Sequence, residues 1–325
     1  MAANYLILIN KNLSTRTAKF WNKNKERILS EFADADLYFL DSDQPQEPID
    51  IERHDTVILI GDNSFFNRII NCFFNELSDK TIAFIPDRDN SALTSGLQLP
   101  TKINETIELI QCRQTIPLDI IRCHYIDMRG LPANCLVLND VVMGVSPKRF
   151  PLLLRTFVQW CKFSPLIPFT KKQNTITLLQ NQNTIYRGKY IISLILLGNA
   201  ITHGPKVIQK NRINLSKFDY LQLNAQSALE ITSPLASVFS RFTPSDNRNS
   251  LHKQFSEIEI NGLGKENNLI ADGIHIGRLP ASFTLLPKAL RVVSPLNVVT
   301  SKRPWTQTIA VAHKVPTPIG SRQVL

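Results

Sequence analysis

Thr56-Val57-Ile58-Leu59-Ile60-Gly61-Asp62-Asn63-Ser64-Phe65-Phe66-Asn67-Arg68-Ile69-Ile70-Asn71 joins an apolar run to a glycine, a short polar stretch and an amphipathic pattern. Thr56–Ile60 is β-branched and apolar throughout, which predicts a buried strand. Ser64–Leu77 predicts a helix. A strand that turns at a glycine into a helix is the unit from which parallel sheets covered on both faces are built. Such a turn also lets backbone N–H groups approach a phosphate without a Cβ in the way.

The same alternation extends outward on both sides. Tyr5–Ile9, Leu37–Leu40 and Thr81–Ile85 predict three more strands. Thr15–Phe32 predicts an amphipathic helix, with Ser14 or Thr15 as its N-cap. Ile103, Ile107 and Ile110 are spaced for a helix over 102–112. Beyond about residue 115 the texture changes. Leu118–Tyr125, Cys135–Met143, Thr175–Leu179, Thr184–Tyr190, Ile191–Leu197, Tyr220–Leu223, Glu257–Ile260, Phe283–Leu286 and Leu290–Val293 all predict strands. Arg129-Gly130, Asn181-Gln182-Asn183 and Asn261-Gly262 read as turns between some of them. Helical patterns interrupt near 148–162 and 233–242, and 299–325 reads as an exposed tail. The expected fold is therefore an α/β lobe with a mostly parallel sheet (1–115), a mostly antiparallel β-sandwich lobe (116–298) and a tail (299–325).

A chain of 325 residues is longer than the roughly 250–300 at which a single core stops growing, which also favours two lobes. With 43 % hydrophobic and 20 % charged residues, collagen-like, disulfide-scaffold and wholly disordered classes are excluded. The net charge of +10 is unevenly split. Residues 1–115 hold 12 Lys and Arg against 17 Asp and Glu, whereas 116–325 hold 25 against 10, a balance of +15. That field favours an anionic partner such as a lipid surface or nucleotide phosphates. No recognised nucleic-acid module accompanies it, which weighs against nucleic acid. Cys72, Cys112, Cys123, Cys135 and Cys161 form no C-x-x-C pair and read as buried thiols in a reducing compartment. Neither a membrane span nor a secretion signal is visible, so the expectation is a cytoplasmic protein, peripheral on a membrane at most. Trp305, beside Lys302 and Arg303, is a candidate interfacial anchor.

Six segments together resemble the catalytic family of diacylglycerol and sphingosine kinases, which shares a superfamily with NAD kinases. The resemblance covers roughly residues 4–298. Leu6-Ile7-Leu8-Ile9-Asn10 resembles the family's opening strand, with Lys11 where the family has proline. Asn10 there binds a phosphate or ribose oxygen, or else serves as a turn residue. Val57–Asn71 resembles the strand, G-G-D-G-T loop and N-E-V-V-N helix. Only Gly61 is kept of that loop's glycines; with one inserted residue Asp62 takes the Asp position and Ser64 the Thr position, without it Asn63 takes the Asp position, and Asn67 matches the helix Asn either way. Thr81–Pro86 and Gly96–Pro100 match the ends of the next loop. Between them stand Asp87 and Asp89, whose charges oppose nucleotide phosphates.

Leu138-Asn139-Asp140-Val141-Val142 is similar to a nucleotide-contacting stretch of NAD kinases, although the rest of that pattern is absent. Ile195–Ala200 resembles the strand ending in Gly-Asn, after which the family's acids organise Mg²⁺; Asp219 alone persists there. Ala271-Asp272-Gly273 with the strand that follows, through Pro287-Lys288-Ala289-Leu290 to Pro295, resembles the closing signature. Asp272 falls on the catalytic carboxylate, Gly273 on the Gly and Ile274 on the family's Glu. By itself Asp272-Gly273 is also a hairpin-turn pair.

The resemblance implies ATP with Mg²⁺ and transfer of phosphate to a lipid hydroxyl, Asp272 taking the proton. Asn10, Gly61, Asp62, Ser64 and Asn67 would bind nucleotide, and Asn139, Asp140 and Asp219 nucleotide or metal. The missing glycines and acids leave open a second reading, a degenerate member that binds lipid or nucleotide as a regulator or scaffold.

Overall fold

The structure, a computed structural model, describes residues 4–11, 15–40, 49–87, 92–100, 102–144, 174–190, 192–198, 202, 216–223, 250–263 and 267–296. It has an α/β lobe with a parallel sheet followed by a mostly antiparallel β lobe.

Four strands of the first lobe, β1 (Tyr5–Asn10), β2 (Asp36–Leu40), β3 (Thr56–Gly61) and β4 (Thr81–Pro86), are parallel in the order β2-β1-β3-β4. Strand residues alternate between faces. Ile7, Ile9, Ile58, Ile60, Ala83 and Ile85 pack under α1 (Thr15–Glu31) and α4 (Ile103–Gln111), where Trp21, Ile28, Ile107 and Ile110 meet them. Leu6, Leu8, Val57, Leu59, Ile82 and Phe84 pack under α2 (Asn63–Leu77), which contributes Phe65, Phe66, Ile69 and Ile70. Both faces are buried, so these strands read as continuous apolar runs. A short helix, α3 (Ala92–Leu97), was not expected from the sequence; Leu93 and Leu97 bury it on the α2 side.

The β lobe holds β5 (Thr115–Asp127), β6 (Pro132–Val137), β7 (Asp140–Met143), β8 (Asn174–Gln180), β9 (Asn183–Tyr190), β10 (Ile192–Leu196), β11 (Phe218–Leu223), β12 (Ser250–Phe255), β13 (Glu257–Leu263), β14 (Asn268–Ala271) and β15 (Ile274–Val293). Its core collects Ile121, Val137, Ile176, Tyr190, Ile195, Phe218, Tyr220, Ile258 and Phe283. The end of β15 returns to the first lobe, where Arg291 and Val292 pair in parallel with Thr81 and Ile82 of β4. One hydrophobic cluster joins Leu118, Ile120, Leu136, Leu138, Leu290 and Val292 to the residues under α2. β5 begins at Thr115, and the sheet and the packing run on from the first lobe into the second.

Several local expectations are corrected. The single strand expected over Cys135–Met143 is broken at Leu138-Asn139, for a reason given below. Asn261-Gly262 lies inside β13 rather than at a turn, because Asn261 and Gly262 pair with Thr177 and Ile176 of β8. Phe283–Leu286 and Leu290–Val293 belong to one long strand that slips register past Lys288, a residue with φ of +53°. Strands β12 and β14 were not foreseen. Cys72 and Cys112 are exposed rather than buried, lying at helix surfaces; Cys123 is buried and Cys135 intermediate. Ser14, Cys161, the helical patterns at 148–162 and 233–242, Trp305 and the stretch 299–325 lie outside the described residues.

Candidate active site

Strand β14 and strand β15 are joined by Asp272 and Gly273, whose φ angles are +46° and +83°. A two-residue hairpin turn with both residues left-handed suits Asp-Gly. The hairpin reading of the pair is therefore correct, and the side chain still turns inward, leaving Asp272 2 % exposed.

The Asp272 carboxylate is held by four N–H donors. Its Oδ2 accepts from the Leu138 backbone N–H (2.7 Å) and the Asn67 side-chain amide (2.6 Å). Its Oδ1 accepts from the backbone N–H groups of Asn139 (2.9 Å) and Asp140 (3.0 Å). Three successive peptide N–H groups aimed at one carboxylate cannot also serve a strand ladder, which is why β6 and β7 separate here. Burial pushes the Asp272 carboxyl above its ordinary range, opposed by these four hydrogen bonds.

Asn67 connects this carboxylate to α2. Its amide also donates to the Leu136 carbonyl (3.0 Å). One turn later, Asn71 donates to the same carbonyl (2.9 Å) and accepts from the Leu136 N–H (2.7 Å). The two asparagines pin α2 to β6 across the lobe boundary. Sequence reading placed Asn67 at a nucleotide and passed over Asn71; their i,i+4 spacing was the available signal.

Asp140 is completely buried. Its Oδ1 accepts from the Asn139 side-chain amide (2.6 Å), the Thr202 N–H (2.8 Å) and the Thr202 hydroxyl. Its Oδ2 is buried and has no hydrogen-bond partner among the described residues. Burial, then the Asp272 charge, pushes this carboxyl up to about 7. Thr202 carried no sequence signal.

Asp219 sits elsewhere. Leu196 of β10 pairs with Asp140 on one side and with Asp219 of β11 on the other, which puts the two acids two strands apart. The Asp219 Oδ1 accepts from His252 Nε2 (2.8 Å) and the Gln254 amide (3.0 Å). Among the described residues no set of three or more His, Cys, Asp or Glu is placed to hold a metal ion. Asp272 is saturated and Asp219 is engaged by His252 and Gln254, which leaves the Asp140 Oδ2 as the unpartnered carboxylate oxygen among these three acids within the described residues.

The remaining expected site residues gather at the carboxyl edge of the parallel sheet, where ligands of such sheets bind. Ile9 is in register with Ile60, so Asn10 is level with Gly61. Asn10 is buried with its Oδ1 unpartnered among the described residues, and so is Asn63, the first residue of α2. Asp62 caps α2, accepting from the Phe65 N–H (2.9 Å). Asp87 lies at the end of β4 and accepts from the Thr17 hydroxyl (2.6 Å) in the first turn of α1. Two helix N-termini that would favour phosphate are thus each met by a carboxylate of the chain itself. A Cβ on Gly61 would stand 2.9 Å from the Phe65 ring, so this glycine makes room for packing. Ser64 is half-buried in the first turn of α2. Asp89 lies outside the described residues.

No protein-family model matches the chain. Curated diacylglycerol kinases of Staphylococcus haemolyticus (strain JCSC1435) and Staphylococcus epidermidis (strain ATCC 12228 / FDA PCI 1200) are 20 % and 19 % identical to it over 245 residues. That stretch is 75 % of this chain, and 72 % and 76 % of theirs. Two crystal structures from Bacillus anthracis str. Sterne, assigned as diacylglycerol kinases, superpose with TM-scores of 0.69 and 0.64 at 14 % identity. Each covers 90 % of this chain and 97 % of its own. The fold is that of the diacylglycerol kinases. Within the diacylglycerol-kinase fold, the Asp272 turn, α2 and the β6–β7 break form the joint between the lobes, and Asn10 and Asn63 lie at the carboxyl edge of the parallel sheet of the first lobe. No helix among the described residues is long and apolar enough to cross a membrane.

Proposed function

We propose that this protein is a divergent lipid kinase that takes ATP at the carboxyl edge of its parallel sheet and phosphorylates a lipid hydroxyl. The observation that carries this reading is the position of Asp272, an inward-turned carboxylate in the joint between the lobes, tied through Asn67 to the helix that begins at the nucleotide edge. In the reaction the lipid oxygen bonds to the γ-phosphorus, the bond to the β–γ bridging oxygen breaks, and the hydroxyl proton passes to a carboxylate. To receive it, Asp272 must release one of its four donors. Similarity to proteins named diacylglycerol kinase supports ATP as the phosphate source.

Binding without transfer is a second reading, favoured by the saturation of Asp272 and by Asp62 and Asp87 at the two helix N-termini. Each charge-stabilising donor lost at a phosphoryl centre costs roughly 10²–10³ in rate. The two readings separate in one experiment. The full chain is assayed for Mg²⁺-ATP stabilisation in a thermal melt. It is then assayed for phosphate transfer to diacylglycerol or a sphingoid base in mixed micelles. Stabilisation with transfer that Asp272→Asn abolishes supports the kinase. ATP binding without transfer supports the second reading; no ATP stabilisation and no transfer, with anionic liposomes bound, rejects the kinase and supports the lipid-binding form of the second reading, and no binding of either kind rejects both.

A further inference from the structure

The β5–β6 turn carries side chains that its conformation does not need. Turns are ordinarily made of Gly, Asn, Asp, Ser and Pro. Here Met128 is 65 % exposed and Leu131 58 % exposed, the two most exposed large apolar side chains among the described residues. They flank Arg129 and Gly130 at the very end of the hairpin.

The turn is closed by its own polar groups. The Asp127 N–H donates to the Leu131 carbonyl (2.8 Å), and the Gly130 N–H donates to the Asp127 carbonyl (3.1 Å). The Asp127 Oδ1 accepts from the N–H groups of Arg129 and Leu131, both at 2.8 Å. Gly130 has φ of +86°, the left-handed conformation that frees a residue from a Cβ. Backbone groups already paired within the turn do not oppose its entry into a medium poor in water. Exposed Arg278 lies against the tip, its guanidinium 3.7 Å from where a Cβ on Gly130 would stand. Exposed Arg122 and His124 lie further back on β5. The acid at the tip, Asp127, is half-buried and engaged by the turn.

We propose that this hairpin tip is a docking surface for an anionic lipid bilayer. Met128 and Leu131 enter the boundary between headgroups and acyl chains, while Arg129 and Arg278 meet lipid phosphates. Apolar side chains backed by cations are the combination that holds a protein in that layer. The +15 balance of residues 116–325 supplies long-range attraction of the right sign. The inference rests on the lipid reading only in taking lipid as partner, since the tip contains none of the candidate site residues.

The test uses the full chain with phosphatidylcholine vesicles and with vesicles containing 30 % phosphatidylserine, read by co-sedimentation. The chain is expected to bind the anionic vesicles. The double variant Met128→Ser with Leu131→Ser is expected to lower the partition coefficient at least about tenfold. Its melting temperature and its response to Mg²⁺-ATP should match the parent. Arg129→Glu with Arg278→Glu is expected to remove the preference for phosphatidylserine. The proposal is overturned if the parent does not bind anionic vesicles or if the double variant binds as well as the parent. It is equally overturned if the tip substitutions change the oligomeric state without lipid, which would make the tip a protein interface. Failure of the kinase reading would leave vesicle binding intact.

Discussion

Asn67 and Asp272 stand 205 residues apart in sequence and share a 2.6 Å hydrogen bond in the buried joint between the two lobes. That bond ties a helix of the α/β lobe to a hairpin turn of the β lobe.

Asn67→Ala leaves the Asp272 Oδ2 and the Leu136 carbonyl each short of a donor. It should cost about 1–3 kcal/mol in chemical denaturation. Asp272→Asn turns an NH₂ toward donors that need an acceptor, and should cost about 3–5 kcal/mol. If Asp272→Asn proves the milder of the two, the carboxylate is not the centre of the joint.

Asp140 gives stability a pH dependence. Its folded carboxyl is pushed up to about 7 by burial and by Asp272, well above its ordinary value near 4. The folded state therefore binds more protons than the unfolded chain between those two values, and stability falls as pH rises through that window. The burial of Asp272 acts in the same direction. Melting temperature should drop between about pH 4 and pH 7, and Asp140→Asn should flatten the drop. A parent melting curve that rises over that interval contradicts the account.

Two glycines are under different pressure. A Cβ on Gly277 would meet the Ile126 carbonyl oxygen at 2.2 Å, where β15 passes β5. A Cβ on Gly61 would meet the Phe65 ring at 2.9 Å, a side chain that can turn aside. Gly61→Ala should cost about 1–3 kcal/mol, and Gly277→Ala should cost more, because backbone yields less readily than a ring. Equal costs would mean that the β5–β15 pairing relaxes freely.

Cys123 faces Cys135 in register across β5 and β6. The Cys123 S–H is held protonated by a hydrogen bond to Cys135, and then by burial, which together keep the thiol well above the ordinary range. Under native conditions a thiol reagent should label exposed Cys112 rapidly and leave Cys123 unlabelled until the chain unfolds. Early labelling of Cys123, read by peptide mass, would show that the β5–β6 edge opens.

What could be read without coordinates was whatever repeats over a few residues. Continuous apolar runs such as Thr56–Ile60 announced strands buried on both faces, and the 3–4 spacing in Ser64–Leu77 announced the helix between them. Asp272-Gly273 announced a hairpin, because a two-residue turn selects left-handed residues locally. The functional meaning of individual polar groups was not local. Whether Asp62 faces a phosphate or caps its own helix, and whether Asp219 joins Asp140 or sits two strands away, depends on register among distant strands. The break at Leu138-Asn139 has the same origin, since a carboxylate 134 residues further along the chain draws those N–H groups out of the ladder. Backbone propensity acts between neighbours and is written in sequence order, whereas a buried polar group takes its partner from whatever the folded core brings within hydrogen-bond reach.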